Sequence, residues 1–451
     1  MTVFFPQAGP FPGSGFTREY GGLCGSDMLN HYRYLVCGTM FLSYILVYFH
    51  RLCPAVIALD MQESFKASGT LLGVLGSAYF YPYALTQLPV GLLADSWGPR
   101  KTVASSLVLA CVGSMVMGLS PNIGLAVFGR ILVGFGVSTI FVCNFKLLAE
   151  WFAPREFALM GGIFMAAGGM GVLSASAPLA WISNLLGWRM TLESVGALTL
   201  FMAALVYLLV RDRPERVGAH SVLASGDGIV SRRMNLWQGM KEVITSRRFW
   251  PPAIYSFTAV GTFFSVAGLW GGPYLMHVYG MSKPEAGAVL SMPAFSLIAG
   301  SPFLSFLSNV VGRRPVLIGC SCLLVLVFAL LALLPKNLPL FMLYLFFFSF
   351  SLAGGTTGQI VATVAKELFP SKIAGTSVGA VNLFPFLGAA IFQVAMGAIL
   401  SGSGRNGAGY SLAGYRYVFW LCTANAVISF IAACLLTETL PSREEKTRAL
   451  S

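Results

Sequence analysis

The chain has 451 residues, of which 56% are hydrophobic and only 10% are Asp, Glu, Lys or Arg, and its mean hydropathy is +0.75. A soluble domain carries roughly 25% charged residues, so a soluble globule is excluded and a polytopic α-helical membrane protein is the class that fits. The net charge of +12 would suggest nucleic acid in a soluble protein, but in a membrane protein it is first a matter of topology.

The first 33 residues are polar, aromatic and rich in Gly and Pro, without a compact apolar h-region or an A-x-A site, so no cleavable signal is read there. The first apolar run is read as a spanning helix that acts as its own insertion signal. Runs long enough to cross a bilayer recur over 34–59, 69–94, 102–120, 122–150, 158–183 and 189–211. After a gap they recur over 250–278, 284–308, 315–334, 338–366, 373–400 and 415–437. The predicted organisation is therefore all-α with 12 transmembrane helices: a tail over 1–33, a six-helix bundle over 34–211, a solvated linker over 212–249, a second six-helix bundle over 250–437, and a tail over 438–451.

Twelve crossings put both termini on one side. Twenty of the 29 Lys and Arg fall in the termini and even-numbered loops, six fall in odd-numbered loops, and Arg51, Arg130 and Lys146 lie within helices. The positive-inside rule then places both termini and the linker in the cytoplasm of an inner (plasma) membrane. The charge is accounted for without nucleic acid. Most of the nine cysteines lie inside apolar runs, where Cys behaves as a small hydrophobe. No pair has metal-ligand spacing with histidines, and no cofactor or metal is expected. The partners expected are the bilayer, a small-molecule substrate and protons, with the chain acting as a monomer.

The two halves echo each other. "GLLADSWGPRK" (91–101) after the second run aligns with "SFLSNVVGRRP" (305–315) after the eighth, so that Asp95 meets Asn309, Gly98 meets Gly312 and Arg100 meets Arg314. "EWFAPREFALMGG" (150–162) likewise resembles "KELFPSKIAGTSVG" (366–379). Internal repeats of this kind point to two bundles that rock about a central site.

The first of these loops resembles the signature G-x-L-x-D-x-x-G-x-R-K of the major facilitator superfamily. "RILVGFG" (130–136) resembles its fourth-helix R-x-x-x-G motif and "GWR" (187–189) the usual start of its sixth helix. The resemblance covers nearly all of residues 34–437. "YFHRLCPAV" and "SAYFYPYALTQLPVGLLAD" (77–95) are similar to the organic-anion branch, the anion:cation symporters, which carries an Arg on helix one and Y-x-x-x-Q-x-P-x-G on helix two, here Tyr83, Gln87, Pro89 and Gly91. The resemblance implies a central cavity lined by helices one and four, and alternating access.

A guanidinium cannot lose its charge in a protein, and at mid-bilayer that charge costs at least about 2.5–3.5 kcal/mol. Arg51 and Arg130 each lie about eight residues from the outer end of their helix, roughly 12 Å deep. Two guanidiniums at one depth suit a carboxylate or phosphate. The competing reading is that each caps backbone carbonyls or pairs within its bundle. Lys146 and Lys366 are read either as lower-cavity charges that guide anion release or as lysines that snorkel to the inner surface. Tyr79 and Tyr83 on helix two, Trp270 and Tyr274 on helix seven, and Asn382 on helix eleven are candidate cavity lining, against the alternative of lipid-facing or interfacial aromatics. Gly91, Asp95, Gly98, Arg100 and Lys101 form a candidate gating loop, with Asp95 as a charge latch between the bundles. The branch's helix-one Asp is His50 here and its helix-four carboxylate is Val137. Proton coupling therefore falls to His50, which is either a titrating group or a neutral hydrogen-bonding one.

The function read from these residues is a secondary transporter of a small carboxylate-type organic anion. The alternative keeps the fold and makes it an efflux pump for amphipathic compounds or a small-peptide carrier; two cavity arginines argue against cationic cargo. An enzyme would need a catalytic constellation, and the chain has no H-E-x-x-H, no G-x-S-x-G and no paired intramembrane Asp.

Overall fold

A computed structural model describes residues 18–87, 89–214, 236–406 and 409–440. Residues 1–17, 215–235 and 441–451 of the predicted tails and linker lie outside the described residues, as do Arg216, Arg232, Arg233, Arg443, Lys446 and Arg448 of the charge count.

Among the described residues ten helical stretches are long and apolar enough to cross a membrane, and they make twelve spans once Leu159–Leu209 is divided at Gly187 and the broken helix Gly69–Ser96 is added. Span 1 is Arg18–Leu52 continued by Pro54–Phe65, and span 2 is Gly69–Ser77, Phe80–Thr86 and Pro89–Ser96. Span 3 is Pro99–Gly118, and span 4 is Ile123–Val137 with Ile140–Trp151. Span 5 begins with Pro154–Ser174 and runs on through Ala177–Leu209 to Gly187, whose φ of 76° separates it from span 6. In the second half, spans 7 to 10 are Arg247–Tyr279, Lys283–Val311, Arg313–Leu333 and Leu340–Glu367. Span 11 is Ser371–Gly402 and span 12 is Leu412–Leu435. The 51-residue apolar stretch Leu159–Leu209 is more than twice what one crossing needs, which is why Gly187 counts as a turn between two spans. The sequence-predicted span limits agree with these to within several residues; the first helix extends back to Arg18, but its membrane-length apolar part begins at Tyr32, close to the predicted start.

Local chemistry fixes the ends. Ser68, Asn122 and Ser411 accept the first-turn N–H groups of Leu71, Leu125 and Gly414, the usual work of an N-cap. Pro99 and Pro154 occupy first-turn positions, where a missing N–H costs nothing. The second half differs from the first in its π turns, at Ser256–Val260 and Val266–Trp270 in span 7, Ser296–Gly300 in span 8 and Ser351–Gly355 in span 10.

At the end away from the termini the two bundles are sealed together. Lys283 Nζ pairs with Asp60 Oδ2 at 2.6 Å. Gln62 Nε2 donates to the Tyr410 hydroxyl at 2.7 Å, and the Thr70 N–H donates to Ser401 Oγ at 3.1 Å. Spans 1 and 7 approach so closely that a Cβ on Gly272 would lie 1.7 Å from the Ala55 carbonyl oxygen, and a Cβ on Gly73 of span 2 would lie 2.5 Å from the Gln393 carbonyl of span 11. Toward the terminal side, by contrast, no ion pair among the described residues crosses from one bundle to the other: Arg33 pairs with Glu156, Lys146 with Asp95, and Arg313 with Glu367.

The sequence repeat has a structural counterpart. Gly98 and Gly312 both have positive φ, 83° and 116°, and each opens the third helix of its bundle. In the first bundle Asp212, just past span 6, accepts from the Arg100 N–H at 2.7 Å, while Arg100 Nε donates to the Tyr207 carbonyl at 2.7 Å. In the second, Glu438, just past span 12, accepts from the Arg313 and Arg314 N–H groups at 3.0 Å, and Arg314 Nη2 donates to the Cys434 carbonyl at 2.7 Å. Each carboxylate sits on a helix N-terminus and each arginine on a helix C-terminus, the favourable sense for both dipoles. A side chain on either glycine would be strained and would meet that carboxylate, 2.6 Å away at Gly98 and 2.7 Å at Gly312.

Burial alone would raise the Glu438 pKa, but its backbone N–H bonds outweigh that and hold it below the ordinary carboxylate range. A depressed folded-state pKa contributes stability that is complete above the unfolded value and is lost as pH falls through the folded one. The thermal unfolding midpoint of the detergent-purified protein should therefore fall as pH drops from about 5 to about 3, and less steeply in Glu438→Gln. Parallel pH profiles for parent and variant would show that the cap contributes nothing.

Candidate functional site

The site starts from a defect in span 1. Pro54 has no N–H, and its ring crowds the carbonyl four residues back, which belongs to His50. The helix breaks at Cys53. Arg130 on span 4 supplies the missing donor: its Nη1 lies 2.5 Å from the His50 carbonyl oxygen, with Cys53 Sγ 3.6 Å away on the same acceptor. Arg130 therefore does cap a backbone carbonyl, one of the two roles its sequence allowed. Its Nε and Nη2 are buried without a hydrogen-bond partner.

Two residues before the break, Arg51 points toward the second bundle and is 2% exposed. Ring faces surround it. Its Cζ lies 4.7 Å from the ring centroid of Tyr48, 4.8 Å from Tyr83 and 5.9 Å from Tyr79, all of the first bundle. From the second bundle come Phe264 of span 7 at 5.0 Å and Phe386 of span 11 at 5.1 Å. Arg51 Nε is buried and unpaired. Tyr79 joins the two arginines, since the Arg130 Cζ also lies over its ring at 4.9 Å. Among the described residues neither guanidinium has a carboxylate within ion-pair distance.

Tyr79 and Tyr83 stack at 5.7 Å, as expected of residues four apart on one helix face. The Tyr79 hydroxyl reaches the Val47 carbonyl at 3.4 Å. Asn382 Nδ2 donates to Gln87 Oε1 at 3.2 Å, a bridge between spans 11 and 2 just beside the cage. The structure thus brings together five of the candidates read from sequence: Arg51, Arg130, Tyr79, Tyr83 and Asn382.

It sets others apart. Trp270 donates its indole N–H to the Gln393 carbonyl at 3.0 Å, and Tyr274 donates its hydroxyl to the Pro335 carbonyl at 2.9 Å, packed against Tyr415 and Phe419. Both are fixed in the sealed end, and Phe264, further back on span 7, faces Arg51 instead. Lys146 is not a free lower-cavity charge: its Nζ bonds the Ala94 carbonyl at 2.7 Å and Asp95 Oδ1 at 2.6 Å. Lys366 is exposed in the last turn of span 10, where snorkelling explains it. Asp95 is not a latch between bundles, since its partner is on span 4 of its own bundle. Arg100 serves spans 3 and 6 as described above, and Lys101 is exposed. Gly91 is half-buried with open space around it, whereas Gly98 has the positive φ that its place in the loop demands.

His50 faces away from Arg51 into its own bundle. Its Nε2 lies 3.2 Å from Thr199 Oγ1, and the Thr199 hydroxyl donates to the Val195 carbonyl at 2.7 Å. With that hydroxyl proton committed, the imidazole Nε2 must be the donor. Tyr48, Phe264 and Phe386 are the site residues that the sequence reading missed. Tyr48 carried a usable signal, lying three residues before Arg51 on the same helix face.

Two six-helix bundles sealed at one end around buried guanidiniums have the architecture of an alternating-access carrier. The sequence profile described as Major Facilitator Superfamily matches residues 39–393, and again 269–450. The chain belongs to that superfamily. Among its relatives are YybO of Bacillus subtilis, an uncharacterized transporter, 25% identical over 60% of this chain and 63% of its own length, and a probable L-galactonate transporter of Escherichia coli, 25% identical over 58% of each chain. The chain thus spans about three-fifths of the length of these two. GudP of Escherichia coli, a probable galactarate/D-glucarate transporter, is 22% identical over 83% of this chain and 89% of its own. Of the solved structures, a bacterial homolog of the human lysosomal transporter Spinster, inward-facing, shares the fold with a TM-score of 0.70 at 18% identity, covering 89% of this chain and 96% of that one. A D-xylose-proton symporter does so with a TM-score of 0.69 at 15% identity, covering 91% and 98%.

The Lys146–Asp95 pair is half-exposed, at 29% and 48%, and exposed pairs contribute about 0–1 kcal/mol. Asp95→Asn should therefore cost under about 1 kcal/mol in thermal unfolding of the purified protein. A larger loss would mean that the pair anchors the last segment of span 2.

Proposed function

We propose that this chain is a secondary transporter of a small organic anion, with Arg51 as the group that takes the carboxylate. The observation that carries this reading is the pair of buried guanidiniums either side of Tyr79, which keep N–H donors unpaired and, among the described residues, have no carboxylate against them. A planar fork of N–H donors matches a carboxylate two bonds at a time. Relatives support it: among them are probable transporters of L-galactonate, of galactarate and D-glucarate, and of sulfoacetate, all anions. In this reading the bundles rock about the site. The contacts through Asp60, Gln62 and Thr70 close the outer face, and both termini lie in the cytoplasm, in keeping with the Lys and Arg distribution.

Arg51→Lys keeps the charge and removes the fork. Uptake of the transported acid into proteoliposomes should fall by at least about tenfold while yield and thermal stability stay near the parent's. Uptake within about twofold of the parent would remove Arg51 from the substrate. Arg130→Lys should lose both uptake and stability, because it also abandons the His50 carbonyl.

Energy coupling falls on His50, which stands where the anion branch usually has Asp. His50 precedes Arg51 in the chain, its ring turned to Thr199 within the first bundle, and Arg130 holds its backbone carbonyl. An anion arriving at Arg51 offsets local positive charge and favours the imidazolium. An imposed inward proton gradient should then concentrate substrate in vesicles of the parent. His50→Gln should still exchange labelled for unlabelled anion but fail to accumulate it. A parent that never accumulates substrate under the gradient would leave exchange or uniport as the mechanism.

A further inference from the structure

The cage also constrains the rest of the cargo. We infer that the transported anion has a flat, apolar body, an aromatic or unsaturated carboxylate, and is not a polyhydroxylated sugar acid. The inference rests on the proposed role of Arg51 and adds the substrate class to it.

The guanidinium sits over the faces of five rings, not against their edges. A carboxylate bonds a guanidinium in its own plane, along the N–H edge, so the body attached to it must extend between the same rings. On the second bundle's side those rings are Phe264 and Phe386, both 5% exposed and nearly parallel, at 13° and 5.8 Å between centroids. Phe386 continues onto Tyr83 at 4.3 Å and onto Phe80 at 6.4 Å and 22°. When the bundles rock apart, this stack divides between them and offers two sets of ring faces to whatever enters. Stacked and edge-on ring contacts with a flat ligand add to the area it buries.

A sugar acid needs the opposite lining. Each hydroxyl taken out of water must find a partner, and one left unpaired loses more than a neutral contact gains. The polar groups bordering the cage are mostly committed. Gln87 and Asn382 bond each other, Tyr79 reaches for the Val47 carbonyl, and the Gln393 amide nitrogen donates to the Phe264 carbonyl at 3.3 Å. Gln393 Oε1 is the one buried side-chain oxygen in this group without a partner. With the free N–H groups of Arg51 and Arg130 turned to the carboxylate, one free acceptor does not serve a chain of hydroxyls.

The experiment is direct binding to the detergent-purified full chain by titration calorimetry, with benzoate and cinnamate set against D-gluconate and galactarate. Benzoate or cinnamate should bind at least about tenfold tighter than either sugar acid. Phe264→Leu and Phe386→Leu should each weaken the aromatic acids by several-fold and leave the sugar acids unchanged. Phe386→Tyr keeps the ring face and should bind like the parent, which separates loss of stacking from loss of fold. Arg51→Lys should abolish binding of every acid. Tighter binding of galactarate or gluconate, itself abolished by Arg51→Lys, would overturn the flat-body inference while leaving the anion site standing. Binding of any of these acids that survives Arg51→Lys, or no binding of any acid, would overturn both.

Discussion

A permanent positive charge deep in a membrane protein has to be stabilised by something. Here the stabilising groups are π faces. Each desolvated cation–π contact is worth about 2 kcal/mol or more, and Arg51 has five within 6 Å. The choice of rings over a carboxylate has a consequence for function. A protein carboxylate would take up the N–H fork and compete with any incoming anion. Ring faces attract the charge without a competing carboxylate, so they lower the cost of burial and leave Arg51 Nε unpaired. Three rings come from the first bundle and two from the second, so the compensation is complete only when the bundles are together. Charge stabilisation and closure are thereby one event.

Arg130 depends on a different constraint, and its two roles are linked through it. Pro54 removes a backbone donor, the His50 carbonyl becomes an orphan acceptor inside the bundle, and Arg130 Nη1 fills the vacancy. An unsatisfied carbonyl in that position would cost several kcal/mol. The bond pins span 4 to the break in span 1 and fixes the guanidinium over Tyr79, the ring it shares with Arg51. Span 2 can lie that close because Gly134 on span 4 has no side chain: a Cβ there would lie 2.3 Å from the Tyr79 carbonyl oxygen. The proline, the glycine and the arginine are one device for setting the depth and spacing of the two cations.

The twelve spans, the repeat and the first-bundle half of the cage were legible in the sequence, because each is written in local terms. Apolar length gives a span, a lone Arg in an apolar run is conspicuous by its cost, and Tyr79 and Tyr83 share a face by spacing alone. The second-bundle half was not legible. Phe264 and Phe386 are two of 35 phenylalanines, and nothing near them in the chain marks the charge they face, which lies more than 200 residues away. Span 7 misled for a further reason. Trp270 and Tyr274 lie six and ten residues beyond Phe264, about 9 and 15 Å further along the helix at 1.5 Å per residue, and so past the depth of Arg51. Trp270 and Tyr274 end in the sealed end while Phe264 takes the position beside Arg51. Lys146 and Asp95 failed in a similar way: the cations nearest Asp95 in sequence, Arg100 and Lys101, are not its partners, and the one that is lies on another helix.

The distribution of ion pairs fits a molecule whose halves move as units. Arg33–Glu156, Lys146–Asp95 and Arg313–Glu367 each tie helices within one bundle, and the two carboxylate caps at Gly98 and Gly312 tie the last span of each bundle to its third. Contacts between bundles are of another kind. The Asp60–Lys283 pair is partly exposed, at 28% and 16%, and the Tyr410 and Ser401 bonds are single hydrogen bonds. Such contacts contribute little each and can be exchanged for water. The close glycine packing of Gly73 and Gly272 carries shape more than energy, since helices that meet backbone to backbone separate without dragging long side chains out of pockets. Stiff halves joined by weak, water-replaceable bonds at one end, with the charge compensation of Arg51 divided between them at the centre, make separation of the bundles a balance that an anion bound at the guanidinium can tip.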